Sequence, residues 1–75
     1  IDLALVMRVA RGYATAAEAA TGELRLVNPR AVENAEGCLK AGMTEDQIKE
    51  RYTAWLDDCR KQRRSAPQHL GFLLN

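Results

Sequence analysis

Gly42-Met43-Thr44-Glu45-Asp46-Gln47-Ile48 is the stretch on which the fold of this chain turns. Thr44 followed three residues later by Gln47 has the form of a capping box. Each of the two side chains there satisfies a backbone donor that a helix start leaves unpaired. Met43 before the cap and Ile48 at the fourth helical position form a hydrophobic staple across it. Glu45 and Asp46 put negative charge at the positive end of the helix dipole. Gly42 stops whatever precedes it, so one helix ends and another begins within a few residues. Helices joined by so short a turn pack as antiparallel or obliquely crossed neighbours.

Outward from that turn, the spacing predicts a helix over 45–63, with Ile48, Tyr52, Trp55, Leu56 and Cys59 on one face. Upstream, Asn28-Pro29 reads as a cap followed by proline at the first helical position. The helix it opens spans 29–41, with Ala31, Val32, Ala35, Cys38 and Leu39 inward. A first helix over 1–20 carries Leu3, Met7, Ala10, Ala14 and Ala17 at helical spacing, widened by Leu5, Val6, Val9 and Tyr13. Gly12 in its middle reads as a close helix–helix approach rather than a kink. Thr21-Gly22 ends it, and Glu23 to Asn28 follow as an extended connector whose Leu24 and Leu26 plug the core. Downstream, Ser65 with Gln68 three residues on repeats the start signal and predicts a short helix over 66–74. The fold class is all-α: a bundle of about four helices, centred on Met7, Val32, Leu39, Ile48, Tyr52, Trp55, Leu56 and Leu70.

The chain has 75 residues, 47% of them hydrophobic, so it is a single domain over 1–75 and not a disordered tail. Its opening on Ile1 reads as part of a longer protein. So small a core leaves little volume for a deep active-site cavity. No stretch approaches the roughly 18–20 apolar residues that a bilayer span requires, so no membrane role is expected. Cys38 and Cys59 would stand roughly 16 Å apart along the axis of an antiparallel hairpin. A disulfide needs alpha carbons within about 7 Å, so both read as unpaired thiols in a reducing, cytoplasmic setting.

The search for chemistry is mostly negative. His69 is the sole histidine, and the five glycines are dispersed rather than gathered into a phosphate loop. Asp57 and Asp58 are adjacent, so on a helix they diverge by about 100 degrees. No enzyme activity, metal or cofactor is expected.

Charge is more informative. The formal net charge of +1 conceals an acidic body, with 7 basic and 10 acidic residues over 1–58. The remaining 17 residues hold Arg60, Lys61, Arg63 and Arg64 and no acid. Such a block suits phosphate contact, with Lys49 and Arg51 as outer helpers. Cations at a helix end also complement its dipole, and an acidic protein would suit the block as well. Cys38, Gly42, Met43, Thr44 and Ile48 have the spacing of a helix-turn-helix unit. The helix that would then read a groove begins with Glu45, Asp46 and Glu50, which repel phosphate. Groove-reading unit and plain hairpin both remain open.

From residue 42 to residue 75 the order is a glycine turn, the capped helix beginning Thr44-Glu45-Asp46-Gln47-Ile48, and Tyr52 and Trp55 on that helix. A basic run from Arg60 to Arg64, a Ser65-Ala66-Pro67 break and a short leucine segment complete it. This order resembles the C-terminal part of phage and plasmid replication-initiation or helicase-recruiting proteins. The resemblance implies a small helical module that binds single- or double-stranded DNA or a replicative helicase. The expected function is therefore a non-enzymatic binding module of a DNA-replication protein. The alternative is a protein-interaction or oligomerisation domain without nucleic-acid contact. It would use the alanine face of the first helix (Ala10, Ala14, Ala17), in a homodimer for instance, or the terminal leucines.

Overall fold

The structure is a computed structural model that describes residues 1–75. It contains three α-helices, α1 (Leu3–Thr21), α2 (Pro29–Lys40) and α3 (Glu45–Gln62), and a C-terminal 3-10 segment, Leu70–Leu74. Each α-helix starts on a side-chain cap. Asp2 accepts from the Ala4 N–H at 2.9 Å and Asn28 from the Ala31 N–H at 2.8 Å. Thr44 and Gln47 bond each other's backbone at 3.0 and 3.1 Å, the reciprocal pair that the sequence predicts. Gly22 ends α1 with φ 78° and Gly42 turns the chain into α3 with φ 97°, conformations that favour glycine.

Helices α1 and α3 run parallel. Near their starts, Arg8 on α1 forms a two-bond pair with Glu45 on α3, at 2.7 and 3.0 Å. Near their ends, Ala16 and Ala20 lie beside Leu56 and Arg60. At Gly12 an added Cβ would lie 3.1 Å from the Tyr52 hydroxyl, so the space that glycine leaves is filled by the tip of an α3 side chain. Helix α2 returns against α1, and the terminal 3-10 segment packs chiefly on α2 and secondarily on α3. At Gly37 the Leu74 side chain comes within 3.1 Å of where a Cβ would stand.

The interior holds Val6, Val9, Ala10, Tyr13, Ala17, Ala35, Cys38, Ile48, Tyr52, Leu56, Ala66 and Leu70. Four of the expected central residues, Ile48, Tyr52, Leu56 and Leu70, are buried, while Val32 and Leu39 pack at the margin. Met7 is half-buried and Trp55 is 47% exposed. Along α1 the buried stripe is turned by roughly 60 degrees from the expected one, toward Val6, Val9 and Tyr13. Valine and tyrosine remove more apolar surface from water than alanine does, so they take the interior ahead of Ala14. Leu3, the first residue of α1, is exposed. Ala10 and Ala17 are consumed within the chain, against its own helices. Both cysteines are buried and unpaired, and burial pushes the Cys38 thiol upward.

Two expectations are corrected, for one reason. The fourth helix over 66–74 is absent: residues 64–67 carry no regular structure, and only Leu70–Leu74 wind, as a 3-10 turn with no side-chain cap. The connector is also inverted, because Leu24 and Leu26 are each 65% exposed whereas Arg25 is only 8% exposed. In an α-helix the Ala66 and Pro67 carbonyls would accept from amides four residues on. Here the Arg25 guanidinium donates to Ala66 O at 2.6 Å and to Pro67 O at 3.3 Å. The Tyr13 hydroxyl donates to Pro67 O as well. Arg25 also bonds the Leu24 carbonyl at 3.1 Å, so its buried charge has partners on both segments. Extended chain alternates its side chains, so turning Arg25 inward turns both leucines outward.

Replacing Arg25 by methionine keeps much of the apolar stem but strands the Ala66 carbonyl, while the Tyr13 hydroxyl still serves Pro67. Urea unfolding should show a loss of about 2 kcal/mol. An unchanged midpoint would mean that water satisfies that carbonyl equally well. The tyrosines supply a second test, because burial raises both Tyr13 and Tyr52 above the ordinary 10.0. The folded state therefore holds phenolic protons that the unfolded chain releases, and stability should fall as pH rises above about 10. Phenolate absorbance should appear together with loss of helical circular dichroism; tyrosine ionisation in a chain still fully helical would contradict the buried placement.

Candidate nucleic-acid interface

The basic block lies where α3 ends. Arg60 and Lys61 occupy its last turn, Arg63 caps it in the left-handed conformation with φ 54°, and Arg64 follows. The Arg64 N–H closes the helix on the Cys59 carbonyl at 2.8 Å. All four side chains belong to exposed residues, but three are paired. Arg60 meets Asp57 at 2.7 Å, Lys61 meets the other oxygen of Asp57 at 3.1 Å, and Arg64 meets Asp58 at 2.8 Å. Hydrogen bonds from Arg60 and then Lys61 hold the Asp57 carboxyl below the ordinary 3.8. Arg63 has no carboxylate partner.

The abrupt sequence boundary between an acidic body and a basic end is thus softened on the surface. Asp57 is spaced three and four residues from Arg60 and Lys61, the separations at which helical side chains meet. Four cations against two carboxylates leave a local balance of 4 − 2 = +2 over these six side chains. That spacing was present in the sequence and marks Asp57 as a counter-ion of the block, whereas Asp58 meets Arg64, six residues on, only because the chain turns at Arg63.

Arg60, Arg63 and Arg64 line one shallow cleft of about 310 Å³ between the ends of α1 and α3, with Thr21 and Ser65 also on its wall. Glu23 is the single carboxylate lining it, 3.8 Å from the Arg25 guanidinium. Lys61 is outside the cleft. Lys49 and Arg51 diverge by roughly 200 degrees around α3. Lys49 faces a separate cleft of about 390 Å³ together with Arg8, Glu45 and Asp46. Arg51 points its guanidinium at the Met43 sulfur, 3.2 Å away. The structure therefore gathers three of the six expected contact residues and disperses the other three.

The first turn of α3, the part a groove-reading helix offers to base edges, is tied to α1 through Glu45 and Arg8. His69 is engaged with the Asn34 amide at 3.1 Å. No group of three or more histidine, cysteine or carboxylate side chains is placed to hold a metal ion. No helix is long and apolar enough to cross a membrane. No protein-family model matches the chain, and neither a curated protein nor a solved structure matches it.

What the sequence reading did not foresee at this site is Arg25, whose hold on Ala66 and Pro67 directs the chain leaving Arg63 and Arg64. A lone arginine between two leucines in a connector gives no periodic signal of burial.

The exposed ion pairs make an acid-side prediction. Arg8 holds Glu45 below its ordinary 4.5, and Arg60 with Lys61 holds Asp57 below 3.8. Depressed carboxyl values contribute stability that is present above those ordinary values and disappears as pH falls through the folded ones. The urea midpoint should therefore be level near neutrality and decline below about pH 4.5, less steeply in 0.5 M salt. The double variant E45Q/D57N should flatten that decline; an equally steep decline would place the acid sensitivity elsewhere.

Proposed function

We propose that this chain is a non-enzymatic binding module of a nucleic-acid-handling protein, and that it contacts phosphates through Arg60, Arg63 and Arg64. The observation that carries the reading is the convergence of those three arginines on one cleft with a positive local balance. Guanidinium groups suit phosphate because they offer two parallel donors to two oxygens. The present partners of Arg60 and Arg64 are no barrier, since exposed ion pairs are worth only about 0–1 kcal/mol and a phosphate can replace them. Lys61 adds long-range attraction from outside the cleft. Lys49 and Arg51 are not part of this contact group. A DNA-replication setting, with a replicative helicase as a further partner, is supported by the resemblance of residues 42–75 and by nothing else.

The non-enzymatic part of the proposal is supported by how the reactive groups are employed. His69 is bonded to Asn34, Asp57 and Asp58 serve cations, and the two thiols are buried. A second reading, a protein-interaction domain, is favoured by Leu24 and Leu26, which stand exposed on a connector held in place by Arg25.

Fluorescence anisotropy with a labelled oligonucleotide at several salt concentrations separates the two. Three phosphate contacts predict a log–log salt slope of about −2 to −3. The triple variant R60A/R63A/R64A should lose most of the affinity and most of that slope, whereas L24S/L26S should lose neither. Binding that survives the triple variant, or that ignores salt, removes the phosphate reading.

A further inference from the structure

The four aromatic side chains of the chain form one continuous series from core to surface. Tyr52 meets Tyr13 edge-on with centroids 5.5 Å apart, Tyr13 meets Phe72 at 5.9 Å, and Phe72 meets Trp55 at 5.1 Å. The first two are buried, Phe72 is partly buried, and Trp55 ends the series 47% exposed. Its indole is backed by a ring that is itself backed by the core. A large flat surface is thereby held in water with little freedom left to lose on binding.

Cations flank it along α3. Arg51 lies one turn before Trp55 and has no carboxylate partner, its guanidinium resting on the Met43 sulfur. About one turn after Trp55, Asp58 holds the Arg64 guanidinium at 2.8 Å, and Arg64 also lines the arginine cleft. An exposed aromatic face between positive side chains is the arrangement on which single-stranded nucleic acids are held: bases stack on the ring and phosphates pair with the cations. In a duplex both faces of each base are already covered by neighbours, so the same surface has much less to offer it.

We infer that Trp55 is a stacking platform for an unpaired nucleobase, so that the nucleic acid contacted by this chain is single-stranded. The inference rests on the phosphate reading above and narrows it to a substrate class. It returns Arg51 to the site, as a phosphate contact beside the platform rather than as a helper of the cleft.

Trp55 is the sole tryptophan, so its emission reports the site directly. Three probes are titrated: an oligothymidylate, a hairpin duplex of equal phosphate number, and inorganic polyphosphate, which has no bases. Oligothymidylate should quench the emission and bind more tightly than the duplex, while polyphosphate should bind without comparable quenching. W55L, which keeps apolar contact for Phe72, should bind oligothymidylate about tenfold more weakly. Its affinity for polyphosphate should be unchanged, and W55F should recover most of the loss. Should W55L fail to fold by circular dichroism, the quenching pattern of the wild-type chain decides alone. Oligothymidylate binding with undisturbed emission, equal quenching by the duplex, or a folded W55L of unchanged affinity each overturns the stacking role, and would leave Trp55 as a protein contact. If neither DNA nor polyphosphate binds, the phosphate reading itself fails and this inference goes with it.

Discussion

A buried guanidinium organises this small protein. Arg25 reaches from the connector between α1 and α2 to the carbonyls of Ala66 and Pro67, and the Tyr13 hydroxyl joins it at Pro67. A charge taken out of water is costly unless its donors are used, and here they are used on backbone that has no regular partner of its own. The contact closes a loop of some forty residues between the two ends of the bond. It thereby decides the path of the terminal segment, the direction in which Leu24 and Leu26 point, and the exit of the chain from α3. No buried side-chain nitrogen or oxygen is left without a hydrogen-bond partner.

The surface at the end of α3 inherits its shape from that anchor. The left-handed turn at Arg63 ends the helix, and the fixed segment at Ala66-Pro67 dictates where the chain goes next. Arg63 and Arg64 are confined between these two points, beside the last turn of α1. Asp57 and Asp58 moderate the resulting charge without cancelling it. Such a surface keeps a net positive charge without strong self-repulsion, because its cations have local partners that are easily exchanged.

The same terminal segment also serves the part of α3 that carries Trp55. Leu70 fills the core, while Phe72 reaches Trp55 and supports it from behind. An indole at this helix position would be drawn inward if α2 lay broadly against α3. The two helices instead meet weakly beyond their turn, and the 3-10 segment occupies the intervening space. Trp55 is therefore left at the margin, in contact with Phe72 yet 47% exposed.

The local signals were legible in the residues. The Thr44–Gln47 box, the Asn28-Pro29 start and the glycine turns specify the helix ends, since each depends only on backbone groups a few residues away. Periodicity likewise located the helices, the all-α class and most of the α3 core. The counter-ion role of Asp57 was also readable, from its spacing to Arg60 and Lys61. By contrast, the burial of Arg25, the exposure of Leu24, Leu26 and Trp55, and the replacement of a fourth helix by a 3-10 turn came from tertiary structure. Ser65-Ala66-Pro67-Gln68 has the local form of a helix start, but the carbonyls of Ala66 and Pro67 are occupied by donors about forty or more residues away in the chain. Sequence determines what depends on neighbours along the chain. Competition for a hydrogen bond between distant segments is decided only when folding brings them together.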